Sequence, residues 1–191
     1  MRWLMLYARS RQATTSAAAV TFVGLALWAF SQGSGQGPMH LGVEILVLTT
    51  NVVAGSVGLG GQDAALDRTA AIRWVPRRAA HVLLIGAVAG AALTAVQAAG
   101  PQSVPAALVL RDSAGLVGLA ALGAVLCGAA FAWTLPTAWL GFTLLMPIPG
   151  GTLGQVVGWM VLPPGTAGST ATACALLATG TVLYAGVGPR R

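Results

Sequence analysis

Six long apolar runs dominate this sequence, and short turn-rich segments separate them. They span about Ala13 to Phe30, Pro38 to Gly60, Ala79 to Val96, Ser113 to Trp133, Thr137 to Leu162 and Ser169 to Val187. Pro147 and Pro149 interrupt the fifth. A helix crosses the hydrocarbon core of a bilayer with about 20 mostly apolar residues. The runs therefore predict an all-α polytopic membrane protein of six transmembrane helices, with residues 1–191 forming a single transmembrane domain. Only 7% of residues are charged, and mean hydropathy is +0.79. A soluble domain carries about 25% charged residues. The composition thus argues against a soluble enzyme or a nucleic-acid-binding module.

The basic residues set an orientation. All ten are Arg. Arg2, Arg9 and Arg11 precede the first run, and Arg68, Arg73, Arg77 and Arg78 lie between the second and third. Arg190 and Arg191 follow the sixth, and Arg111 opens the fourth. Cytoplasmic loops of membrane proteins carry an excess of Arg and Lys. With six spans and both termini cytoplasmic, every Arg but Arg111 falls inside. The expected location is the cell's inner (plasma) membrane.

Three segments do not read as simple hairpins. Residues 1–12 alternate apolar and basic groups and read as an interfacial helix. Residues 61–78 form the longest cytoplasmic loop, where Asp63 can cap a short helix that Pro76 ends. Residues 146–164 carry Gly150, Gly154 and Gly158 at four-residue spacing between two proline pairs. This pattern reads as an outer re-entrant element whose glycine face packs on another helix.

Motifs for chemistry are lacking. The chain has no Lys for a P-loop, no HExxH and no GxSxG. Cys127 and Cys174 lie inside apolar runs and read as small buried hydrophobes. No metal, cofactor or catalytic residue is expected. One stripe is notable: His40, Glu44, Asn51, Gly55 and Gly58 fall within about 60° on a helix. An ionisable group inside a span is costly and faces protein or water. The stripe is either a substrate path or a packing seam with a His40–Glu44 hydrogen bond. Asp112 or Ser113 is expected to cap the fourth span, with Arg111 among the headgroups.

The order of elements resembles the permease half of an ABC exporter of the six-helix, ABCG-like type. The stretches ALDRTAAIRWVPRRAAHVLLIGA (Ala65–Ala87) and RDSAGLVGLAALGAVLCGAAFAWTLPTAW (Arg111–Trp139) are similar to those of small permease-like proteins from high-GC bacteria. The resemblance implies a transmembrane subunit, itself no enzyme, that moves a hydrophobic or amphipathic substrate. Its partners would be a separate ATP-binding subunit and a second copy or a sister permease, within membrane lipid and without nucleic acid. Asp63, Leu66, Asp67, Arg68 and Arg73 would then couple to the ATPase, and His40, Glu44 and Asn51 would line the path. Two other readings stay open. One is a secondary transporter or channel. The other is a non-transporting membrane protein such as an immunity factor, sensor anchor or assembly subunit.

Overall fold

The computed structural model describes residues 39–59, 74–98 and 105–190, with side chains from residue 42 on. Every regular element among the described residues is a helix, and they contain no strand. The elements are α1 (Met39–Ser56, continued by a 3-10 turn Val57–Leu59), α2 (Trp74–Ala98) and α3 (Ala106–Leu126). A 3-10 turn (Ala129–Phe131) then leads to α4 (Thr134–Leu145), α5 (Gly151–Val157) and α6 (Ala167–Val187). The first apolar run and the 1–12 segment lie outside the described residues.

Among the described residues, four helices are long and apolar enough to cross a membrane: Gly42–Leu59, α2, α3 and α6. They correspond to the second, third, fourth and sixth apolar runs. The fifth run behaves differently. Helix α4 has 12 residues, about 18 Å at 1.5 Å per residue, well short of the hydrocarbon thickness of about 30 Å. Met146 ends it in extended geometry, because Pro147 and Pro149 cannot continue its hydrogen-bond ladder.

Two boundaries differ from the sequence reading. Helix α2 starts at Trp74, so residues 74–78 are its first turns and not loop. Pro76 is the third residue of this helix, where a missing backbone N–H costs no ladder bond, so it lies within the helix's first turn. Helix α3 runs from Ala106 to Leu126, seven residues ahead of the apolar run read from Ser113. Gly128 ends that stretch, in a left-handed conformation (φ 105°) that a side chain would strain.

Helix α3 is the centre of the bundle. Of its spanning window 78% is buried, against 28% for α2 and 22% for α6. Its core-facing residues include Leu116, Val117, Leu119, Ala120, Ala121 and Ala124. In lipid, apolar surface gains little from leaving one apolar solvent for another, so helices associate through close van der Waals fit and hydrogen bonds. The contact between α3 and α6 shows this. Gly118 lies against the backbone of Leu176 and Leu177, and Gly180 lies against the backbone of Gly118. A methyl group on either glycine would strike main chain, which cannot rotate away.

Helix α2 runs antiparallel to α3. Gly86 packs near Val117, and the later Gly90 packs near the earlier Ser113 and Val109. The C-terminal ends of α1, α3 and α6 meet at the end where α2 begins. There Tyr184 donates its hydroxyl to the carbonyl of Leu59 at 2.7 Å. The Arg190 N–H bonds the Ala124 carbonyl at 3.0 Å, and the Arg78 guanidinium lies over Gly188. Arg77, Arg78 and Arg190 thus gather at one end of the bundle.

Candidate functional site

At the opposite end lies a buried polar layer. Arg111 and Asp112 are six and seven residues into α3, about 8 to 9 Å along it. Their exposures are 6% and 0%. Arg111 Nε donates to Asp112 Oδ1 at 2.8 Å. Its Nη1 donates to the carbonyl of Pro163 at 3.2 Å. Its Nη2 donates to the carbonyls of Leu162 at 3.0 Å and Met160 at 3.5 Å. One guanidinium therefore joins the central helix to the turn that follows α5.

The local sequence explains why that turn presents carbonyls. Helix α5 ends at Gly158, and Pro163 and Pro164 follow, so no continuing helix supplies N–H groups to the carbonyls beyond it. The guanidinium, with donors in a planar fork, takes their place. Burying two ions costs several kcal/mol each, and this arrangement offsets it with the mutual charge and three carbonyl acceptors. Trp159 and Met160 are both fully buried. The Trp159 ring lies directly on Gly115, one turn below Asp112 on the same face of α3. Glycine is needed at position 115, since any side chain would occupy the space of the ring.

The layer is not fully satisfied. Among the described residues, Asp112 Oδ2, Trp159 Nε1, Asn51 Oδ1 and Thr49 Oγ1 are buried without a hydrogen-bond partner. The contacts place Asn51 near the same depth. Gly55, one turn further along α1, rests on Ile85 of α2, and the adjacent Gly86 rests on Val117, one turn below Ser113.

These positions correct the reading of Arg111–Ser113. Pro105 is the N-cap residue of α3, with no side-chain cap hydrogen bond. Asp112 and Ser113 lie in the second turn, and the Ser113 hydroxyl bonds the Leu110 carbonyl at 3.0 Å. Arg111 is enclosed by protein instead of projecting from the helix end, held by carbonyls of the turn after α5 that lie 49 to 52 residues away in sequence. The glycine stripe of residues 146–164 also changes. Gly150 and Gly158 are the caps of α5, and Gly154 alone lies within it. Gly154 and Gly158 receive Pro149 and Ile148 from the same segment. Trp139 Nε1 donates to the Val157 carbonyl at 3.1 Å, and the Ser169 hydroxyl donates to the Gln155 carbonyl at 3.2 Å.

The other expected site residues divide in two. Asp63, Leu66, Asp67, Arg68 and Arg73 lie outside the described residues, as does the side chain of His40. Glu44 is half-buried and Asn51 is buried. Gly55 of the same stripe packs on α2, its added Cβ only 2.7 Å from Ile85 Cγ2. Cys127 and Cys174 lie on the outer face and not in the core. An open apolar groove of about 340 Å³ runs between α2 and α3, lined by Gly86, Gly90, Ala91, Val109, Ala114 and Leu177. Among the described residues, no group of three His, Cys, Asp or Glu side chains is placed to hold a metal ion.

Comparison with known proteins identifies no relative: no family model, no curated protein and no solved structure matches the chain.

Proposed function

We propose that this protein is the membrane-embedded permease subunit of an ABC-type exporter, driven by a separate ATPase and moving a hydrophobic or amphipathic substrate. The observation that carries the reading is the order of elements in the second half of the chain. A short helix, too brief to cross, stands between the interrupted fifth helix and a full-length last helix, and it is fixed to the end of the bundle opposite Arg77, Arg78 and Arg190. That order is the one the resemblance calls for, with the short helix on the outer side and the basic end in the cytoplasm. The outer element is then re-entrant, α4 with the 3-10 turn before it (Ala129–Leu145) makes the fifth crossing, the first apolar run makes the first, and both termini are cytoplasmic. The apolar groove between α2 and α3 agrees with a greasy cargo.

In this reading the chain forms half of a pathway, and a second copy or a sister subunit supplies the other half. Asp63, Leu66, Asp67, Arg68 and Arg73 form the contact through which the ATPase moves the membrane helices, and His40, Glu44 and Asn51 line the route. The test is purification of the tagged full chain from its native membrane in mild detergent. The expected preparation contains a second polypeptide with Walker motifs and no membrane spans, and it hydrolyses ATP. The activity falls when Leu66→Asp is introduced, while the permease still inserts. A preparation of this chain alone, with no nucleotide-hydrolysing partner after crosslinking in the membrane, overturns the reading.

A further inference from the structure

We infer that Ile148–Pro164 is a hinged strap, latched to the bundle by Arg111, that opens as a unit and admits water to the Asp112 layer. The segment packs on itself. Ile148 folds onto Gly158 with its Cδ1 2.8 Å from where a Cβ would stand, and Pro149 folds onto Gly154. Its turn is closed by internal bonds, from the Val161 and Leu162 N–H groups to the Gly158 carbonyl at 3.0 and 3.2 Å.

Both ends are built to pivot. Upstream, Leu145, Met146 and Pro147 are exposed, with Leu145 at 83%. Downstream, Gly165 holds φ 96° with nothing within 4 Å of its added Cβ. Across Gly165 the Thr166 N–H and hydroxyl both donate to the Pro163 carbonyl, at 3.4 and 3.0 Å, and bind only the strap's last turn. The other described hydrogen bonds that tie the strap to the bundle come from the side chains of Arg111, Trp139 and Ser169. No backbone ladder fastens it among the described residues. Apart from the Thr166 bonds at the hinge itself, Arg111 supplies three of the five bonds, so it is the latch.

The closed state carries a cost that opening removes. Asp112 Oδ2 and Trp159 Nε1 are buried and unpartnered when the strap is shut. Each gains water once Trp159 leaves Gly115. A buried polar layer that is only partly satisfied is held less firmly than a fully paired one. The inference does not depend on the transport reading.

Cysteine accessibility tests it on the full chain in lipid nanodiscs, with Cys127 and Cys174 replaced by Ala. Met160→Cys reports the strap and Ala121→Cys reports the core of α3. Both positions are fully buried. A water-soluble maleimide is expected to label position 160 slowly but measurably and leave 121 untouched. Arg111→Met should speed labelling at 160 by about two orders of magnitude or more, the effect of removing one member of a buried charge pair, with 121 still protected. Trp139→Phe, which deletes a single strap bond and keeps the ring, gives a milder variant in case Arg111→Met does not fold. It should speed 160 by severalfold and leave 121 unchanged. If both positions respond together in the variants, or if 160 is no faster in either, no latched strap exists.

Discussion

The two ends of the bundle use arginine in opposite ways. At one end Arg77 and Arg190 are exposed and Arg78 is half-buried over Gly188. At the other, Arg111 is enclosed and bonded to four oxygens. An exposed guanidinium loses little when it is moved or neutralised. A buried one is fixed by its partners, and its removal leaves those partners without donors. The fastening differs in the same way. The basic end is tied by main chain, through Arg190 to Ala124 and Ala129 to Arg190 at 3.0 and 3.2 Å, as well as by the Tyr184 hydroxyl. Apart from the Thr166 bonds at its hinge, the strap is tied by side chains. Side-chain ties can be broken one at a time, which suits a moving part.

The sharpest way to break this comparison is to neutralise one arginine from each end. Arg111→Met should lower stability by about 3–5 kcal/mol, the usual cost of leaving a buried charge unpaired. Arg77→Met should stay within about 0.5 kcal/mol, as for a surface change away from any network. Unfolding of the detergent-solubilised protein, followed by circular dichroism, measures both. Equal effects would mean that Arg111 is solvated.

The second test concerns the middle of the bundle, which both ends share. Gly118→Ala drives a methyl into the backbone of Leu176 and Leu177, and overpacking of this kind costs about 1–3 kcal/mol. Gly141→Ala is the control, because nothing lies within 4 Å of its added Cβ. The difference between the two in the same unfolding assay isolates the clash from ordinary helix propensity.

A comparable effect is expected at the basic end. Tyr184→Phe removes one buried hydroxyl bond and leaves the Leu59 carbonyl without its donor. A loss of about 1–3 kcal/mol follows from that unsatisfied group. It should appear as faster hydrogen exchange in the 3-10 turn Val57–Leu59, with the strap unaffected. Faster exchange at Trp159 and Met160 in the same variant would show that the two ends are not independent.

Much of this arrangement could be read in the sequence where one helix makes one apolar run. The run from Pro38 to Gly60 is α1 with its 3-10 turn, and the run from Ser169 to Val187 is α6 less two residues at its start. Turn residues bound both, and no charge interrupts the second. The fourth run failed at the same signal that worked elsewhere. Charges mark the ends of spans when they are solvated, and Arg111–Asp112 looked like such an end. Their partners at Met160, Leu162 and Pro163 are set by tertiary packing, which hydropathy does not encode. Trp159 was missed for the same reason: an aromatic in a Gly- and Pro-rich stretch gives no sign of the glycine beneath it. The pairing of Gly118 with Gly180 is also hidden, since 26 glycines offer many equivalent stripes.

The basic end and the strap end should face opposite sides of a membrane. Labelling of single cysteines, in a chain without Cys127 and Cys174, by an impermeant maleimide on intact and permeabilised cells measures this. Arg77→Cys and Arg190→Cys should react only after permeabilisation. Pro164→Cys, at the exposed tip of the strap, should react in intact cells. Labelling of Arg77→Cys and Arg190→Cys from opposite sides, or of Pro164→Cys from the same side as both, would contradict the account.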